Sequence, residues 1–426
     1  TSSGWTSVAT GLHAGGTYRF EVANISGAST SVALFFVNGR GRLHKLTTAG
    51  VLTTAAPIYG SEATSISSVL IGTGAKTFTT IEATRSYVAG ESLTIWSSAD
   101  SANSMTGTVT SYNSGTNQLV MNITSVTGAG TLAAWEIGYS DFRDKPFLIA
   151  EHKDHLFLGY PVGQLQSSNL GDPMVYTTTA ALFGIGDELT GLTSLKGEIL
   201  GVFCRQKIKL LRGSTSLDWE LGNHTKDVGA VGATIQDNNG NALFLDDKGL
   251  TCLQATQSFG DFEASIMSQD VKTALDAARA TVIGSRMAKG NYQYRLYYAD
   301  GANLRATIRT GNALLTPKDV AFTASQYIHT PACFAAGVLG DGLEHMFFGT
   351  SDGYVMEEDA GTSFDGTAIV YVLRLPFNHF KSPNHTKQFH KMIVELVSPD
   401  AVTLSVRQLF DYDDGTYPHS GTRPIA

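Results

Sequence analysis

Apolar and polar residues alternate along most of this chain with the period of two that marks a half-buried strand. The clearest stretch is ALFLDDKGLTCLQ, Ala242 to Gln254: two alternating runs joined at Asp246-Asp247-Lys248-Gly249. A glycine in such a turn supplies the positive φ that closes a hairpin. Five further stretches share the plan: Leu34 to Leu46 with Asn38-Gly39 at the turn, His155 to Asn169, Leu200 to Gly213 with Arg205-Gln206 at the bend, Tyr294 to Ile308 with Asp300-Gly301, and Met346 to Asp359 with Asp352-Gly353. Six copies of one hairpin make a repeat. Aromatic anchors at Phe157, Phe203, Phe244, Tyr298 and Phe348 recur roughly every 40 to 55 residues, a spacing that suits propeller blades. One blade cannot bury both its faces alone, whereas a ring of blades can, and it leaves no long exposed edge. The pattern predicts an all-β β-propeller of six or seven four-stranded blades.

The rhythm breaks after Ile58. Between about Ser61 and Ser140 lie short strands set apart by Gly, Asn and Ser turns, among them Ser92 to Ser98 and Gln118 to Val126. They predict a small β-sandwich or barrel inserted into the propeller. Gly115, Gly128 and Gly130 read as turn residues, because no strand-to-helix context accompanies them as a phosphate loop requires. The expected organisation is propeller over 1–60, an inserted β-module over 61–141, the remaining blades over 142–360, and a C-terminal β region over 361–426. That last region holds three alternating runs, Ala368 to Phe377, Lys387 to Ser398 and Ala401 to Asp413, which either complete the ring or form a separate sheet. One helix is expected, Ala264 to Ala280, from the spacing of Ile266, Val271, Ala274, Leu275 and Ala278. The chain begins at Thr1, and its front is expected to be short by part of a blade.

Composition sharpens this picture in three ways. With 426 residues, 42% of them hydrophobic and 16% charged, the chain can bury a large interior but exceeds one ordinary core. A net charge of −8 argues against a surface built throughout to hold phosphate. Cys204, Cys252 and Cys333 are odd in number, far apart and set in apolar runs, so they read as buried reduced thiols. No apolar run is long enough for a membrane span, and no signal peptide is recognisable.

Candidate chemistry is sparse. His379, His385 and His390 crowd near the end, with His44, His152, His155 and His345 elsewhere, but none forms the i, i+4 helical pair typical of a metal site. Asp411, Asp413 and Asp414 before Gly415 resemble a calcium loop, yet Thr422 stands where an EF-hand needs Glu. Adjacent Glu357 and Glu358 on a strand face opposite sides, which is wrong for shared acid–base work. Ser351-Asp352-Gly353 is turn chemistry, and neither a Gly-x-Ser-x-Gly nor a P-loop is present. The expected assignment is no catalytic, cofactor-binding or metal residue, no cofactor and no enzymatic activity.

Lys153 to Tyr176 and Leu200 to Leu221 resemble blades of the nozzle, or tail tubular, proteins of short-tailed bacteriophages. The inserted segment resembles a β-module of phage tail and fibre proteins, through Gly72-Thr73-Gly74, Phe78, Tyr87, Gly90, Met105, Gly107, Val109, Ser111-Tyr112, Gly128, Gly130 and Trp135. Arg374 to Leu396 is similar to the closing strands of such proteins. The resemblance implies a virion protein assembled in the host cytoplasm: a homo-oligomer, a six-fold ring around the DNA exit channel. Its partners would be a portal or adaptor above and fibres or spikes at the periphery, with DNA passing non-specifically. Two alternatives stand beside it. One is a receptor- or glycan-binding propeller using Trp96, Tyr112 and Trp135 as sugar-stacking aromatics, although core packing of the insert explains the same residues. The weaker one is a glycan-cleaving propeller enzyme.

Overall fold

The computed structural model describes residues 7–369 except 9, 26, 29–30, 59–61, 84, 177–181, 239, 260–265, 301–303, 311–321 and 330. Beyond 369 it describes 381, 391, 393–395, 404–407 and 422–425. The chain forms two compact units, Thr1–Gly361 and Thr362–Ala426.

The first unit is a series of antiparallel sheets, each a meander in chain order. The first sheet comprises Arg19–Ala23, Ala33–Val37, His44–Thr47 and Leu52–Thr54. The second runs Leu148–His152, His155–Tyr160, Gln164–Ser167 and Leu182–Gly184, and the third Leu189–Leu195, Ile199–Cys204, Ile208–Arg212 and Glu220–Thr225. A fourth sheet has three strands, Gln236–Asn238, Asn241–Leu245 and Leu250–Cys252. A fifth follows in Val282–Ala288, Gln293–Asp300, Leu304–Thr310 and Phe322–Tyr327. The sixth has three strands, Pro331–Val338, Glu344–Thr350 and Val355–Glu358. All six hairpins read from the sequence are the second and third strands of these six sheets. Phe157, Phe203, Phe244, Tyr298 and Phe348 all lie on second strands.

The reason is burial on both faces. In His155–Tyr160 every residue is buried. Leu156 and Leu158 join Phe35 and Val37 of the first sheet and Leu43 beside it, while Phe157 packs with Leu200 and Val202 of the third. Phe203 meets Phe244 between the third and fourth sheets at 5.3 Å, and Leu243 and Leu245 meet Met287, Tyr294 and Leu296 between the fourth and fifth. Tyr297 stacks on Phe334 of the sixth sheet at 3.9 Å. Each such side chain leaves water for an apolar contact, at about 1.5 to 3 kcal/mol per fully buried residue. The first strands of successive sheets lie side by side. This all-β arrangement is a β-propeller.

Between the fifth and sixth sheets the packing is also ionic. Fully buried Arg295 pairs with Glu358 and with Asp359, and Tyr297 donates to Glu358 at 2.7 Å. Glu357 does face the other way and pairs with His345 near the surface.

The inserted segment is a six-stranded antiparallel barrel in the order Ala63–Ser65, Trp135–Tyr139, Ser92–Ser97, Ser104–Asn113, Gln118–Thr127, Gly74–Thr79. A bridge between Ser65 and Thr80 joins the two edge strands and closes it. Its core gathers Phe78, Leu93, Ile95, Met105, Leu119, Met121, Trp135 and Ile137. Gly107 is required there: a Cβ would lie 2.2 Å from the Asn122 carbonyl oxygen on the neighbouring strand.

Four expectations are corrected. The run ending at Gln254 stops as a strand at Cys252, and Leu253–Phe259 is a helix. The expected 264–280 helix is reduced to Lys272–Ala278, flanked by 3-10 turns at Gln269–Val271 and Arg279–Thr281, since no side chain caps it at its start. Cys204 is buried, but Cys252 is half-buried and Cys333 exposed, because Cys333 lies on the sixth sheet's face away from the fifth; all three thiols are free. In the second unit, Ser363–Phe364 pairs with Thr367–Ala368, and Leu404–Arg407 with Thr422–Ile425. Ile393 to Glu395, expected within a strand, are exposed and not in one. His379, His385, His390, Asp411, Asp413, Asp414 and Gly415 lie outside the described residues.

Candidate functional site

Two places concentrate charge and shape: the seam between barrel and propeller, and the inner strands of the sheets.

The barrel leaves the first sheet and returns to the second through a neck. There Lys145, 1% exposed, donates to Glu62 at 2.5 Å and stands 3.9 Å from Asp144. The second Glu62 oxygen accepts the Ile58 N–H at 2.8 Å, and Asp144 accepts the Tyr139 N–H at 3.0 Å. Gly138 makes room, since a Cβ would come within 2.8 Å of Lys145 Nζ and 2.9 Å of Asp144 Oδ2. Burial pushes the Lys145 pKa down, but the two carboxylates outweigh it and the net shift is up, so the ammonium stays charged. Sequence reading missed this cluster. The available signal was the pairing of ionisable residues with both ends of the insert.

A second tie joins barrel strand Trp135–Tyr139 to the first sheet. Glu136 accepts from Arg42 at 2.5 Å, and His13 Nε2 lies 3.4 Å from it; Arg42 also donates to the Ala55 carbonyl at 2.9 Å. Burial works against the Glu136 charge, yet the His13 and Arg42 bonds prevail and hold its pKa at about 2. The segment before the first sheet is strapped into the seam as well: the Leu12 carbonyl accepts from Ser101 at 3.1 Å and that of His13 from Asn38 at 2.9 Å.

The inner strands carry Arg19 and Glu21 on the first sheet, Glu151 on the second and Arg286 on the fifth. Glu21 feels both Glu151 and Arg286, so these strands converge on a common interior. Desolvation and then Glu151 push the Glu21 carboxyl up to about 7, against the Glu151 backbone N–H and Arg286. The charge here is of both signs. Glu21 holds its proton more tightly folded, at about 7, than at its ordinary 4.5, so its contribution to stability falls as pH rises through that window. Glu21→Gln is therefore expected to match the wild type near about pH 4 and to exceed it near about pH 8 in urea-unfolding midpoint. A gap that does not change with pH would contradict the assignment.

The described histidines do not gather. His44 stacks on Phe36 at 5.0 Å, and burial lowers its pKa to about 4. His152 contacts Ser194 Oγ at 3.2 Å, His155 the Ser168 carbonyl at 2.7 Å, and His345 sits between Asp341 and Glu357. Among the described residues no three His, Cys, Asp or Glu side chains are placed to hold a metal. The sugar-stacking reading loses its platform: Trp135 is 0% and Trp96 5% exposed, and Tyr112 packs against the barrel core beside Tyr87. No helix among the described residues is long and apolar enough to cross a membrane.

These features define the class: a β-propeller with an inserted β-barrel tied to its first sheet. No protein-family model and no curated protein matches the chain. Among solved structures it is similar to a putative 6-phosphogluconolactonase from Bacteroides uniformis, at 10% identity and a TM-score of 0.34, covering 80% of this chain and 95% of that one. It is similar to virginiamycin B lyase from Staphylococcus aureus at 11% identity and 0.33, covering 80% and 99%. The WD40 domain of SCAP from fission yeast follows at 9% and 0.31, covering 80% and 85%. Likeness of this degree carries no argument about function, and the fold class rests on the sheets themselves.

Proposed function

We propose that the chain is a structural subunit of a short-tailed bacteriophage tail, of the nozzle type, forming a six-fold ring around the DNA exit channel. In this reading it meets a portal or adaptor above and fibres or spikes at its periphery, and it has no catalytic centre. The observation that carries the reading is the double tie between barrel and propeller. Lys145–Glu62–Asp144 and Arg42–Glu136–His13 fasten the insert at two points with buried charge, as suits a part that bears the load of pressurised DNA and not a recognition domain on a loose linker. A ring requires heterologous contacts that close by rotation. Electron-microscopic imaging of the native particle is expected to show this chain as a six-fold ring coaxial with the tail. Isolated monomers, or copies confined to peripheral appendages, would overturn the reading.

A further inference from the structure

At the seam a cleft of about 260 Å³ opens between the strap and the barrel, lined by Leu12, His13, Arg40, Trp96, Asp100 and Phe142 among others. Its volume falls just below the roughly 300 to 1,000 Å³ of drug-sized pockets, so it suits one ring and not an extended ligand. Arg40 is the informative group. Its guanidinium carbon lies 4.2 Å from the centre of the Phe142 ring, and among the described residues it has no carboxylate partner. A guanidinium held over a ring by the negative face of that ring still carries N–H donors that can pair with a carboxylate. The support is itself built: Phe142 stacks on Trp96 at 5.5 Å, and His13 meets Trp96 edge-on at 5.3 Å. Phe142 holds a left-handed φ of 58°, a conformation that costs a non-glycine residue energy and persists where its surroundings enforce it.

Asp100 sets the other half of the specificity. Its oxygens take the Ala102 N–H at 3.0 Å and the Asn103 amide at 3.3 Å, and each retains a lone pair for an O–H donor. A ligand filling the cleft must therefore bring a planar anion for Arg40 and hydroxyl donors for Asp100. A phosphate dianion meets more repulsion from Asp100 than a monoanionic carboxylate, and a simple carboxylate offers Asp100 nothing. We propose that this cleft binds an acidic monosaccharide unit, a uronic acid, with its carboxylate on Arg40, a ring hydroxyl on Asp100 and its C–H edge against Leu12. The site goes beyond the tail reading and does not rest on it.

The test is titration of the intact chain with D-glucuronate, followed by calorimetry and by ligand-observed NMR. Saturable binding is expected, with D-glucose and acetate each at least about tenfold weaker. Arg40→Met and Asp100→Asn should each weaken glucuronate by about tenfold, and Arg40→Lys, which keeps the charge but loses the fork, should fall between. Unchanged thermal unfolding of Arg40→Lys keeps the result interpretable if Arg40→Met misfolds. No saturable glucuronate binding, equal binding of acetate or glucose, or affinity indifferent to Arg40 would each overturn the assignment.

Discussion

Replacing Lys145 with alanine is expected to cost about 3 to 5 kcal/mol of folding stability, the usual penalty for removing one partner of a buried ion pair. Glu62 and Asp144 are 2% and 0% exposed, and without the ammonium two carboxylates would share a dry site. Burial, despite Lys145, already raises the Asp144 pKa. The variant should answer by taking up a proton, so its deficit should shrink toward low pH. Urea unfolding at several pH values measures both effects. Lys145→Met combined with Glu62→Leu should recover part of the loss, because a well-packed apolar replacement removes the desolvation cost along with the attraction. A single-variant loss under about 1 kcal/mol, the range of exposed pairs, would mean that the cluster does not fasten the neck.

Trp135→Ala is expected to cost about 3 to 5 kcal/mol as well, through a cavity at the centre of the barrel. Trp135 is wholly buried, meets Phe78 edge-to-face at 5.9 Å and donates its indole N–H to the Ser67 carbonyl at 2.9 Å. The barrel has a core of its own, so the damage should stay local. Limited proteolysis should cut the variant within 63–139 well before the propeller sheets, and Trp135→Phe should lose less. Cleavage that begins instead in the sheets beyond Leu148 would show that barrel and propeller unfold as one unit.

These two sites differ in how far they could be read beforehand. Trp135 lies in an alternating run, and its burial follows from the pleat, since residues two apart share a face. The Lys145 cluster joins side chains 83 positions apart, Glu62 and Lys145, and no local pattern announces a pair of that separation. Arg42 and Glu136 are 94 positions apart. The helix Leu253–Phe259 was missed for a related reason. Leu253 is buried against Phe203, Phe244 and the rest of a neighbouring core, a contact that periodicity within Ala264 to Ala280 cannot weigh. Core packing was the stronger of two readings of Trp96, and its packing against Phe142, with Lys145 5.8 Å from its ring, agrees with it.

The sequence by itself determined the six hairpins, their repeat, the all-β class and the presence of an inserted β-module. Each of these rests on alternation and turn residues, which act between neighbours along the chain. Tertiary structure alone decided that the insert closes as a barrel, that buried charge ties it down at two points, that the inner strands carry both signs, and that Arg40 and Asp100 share one cleft. Those properties depend on distance in space between residues remote in sequence, and burial, which sets the strength of every ionic contact among them, exists only once the sheets have packed.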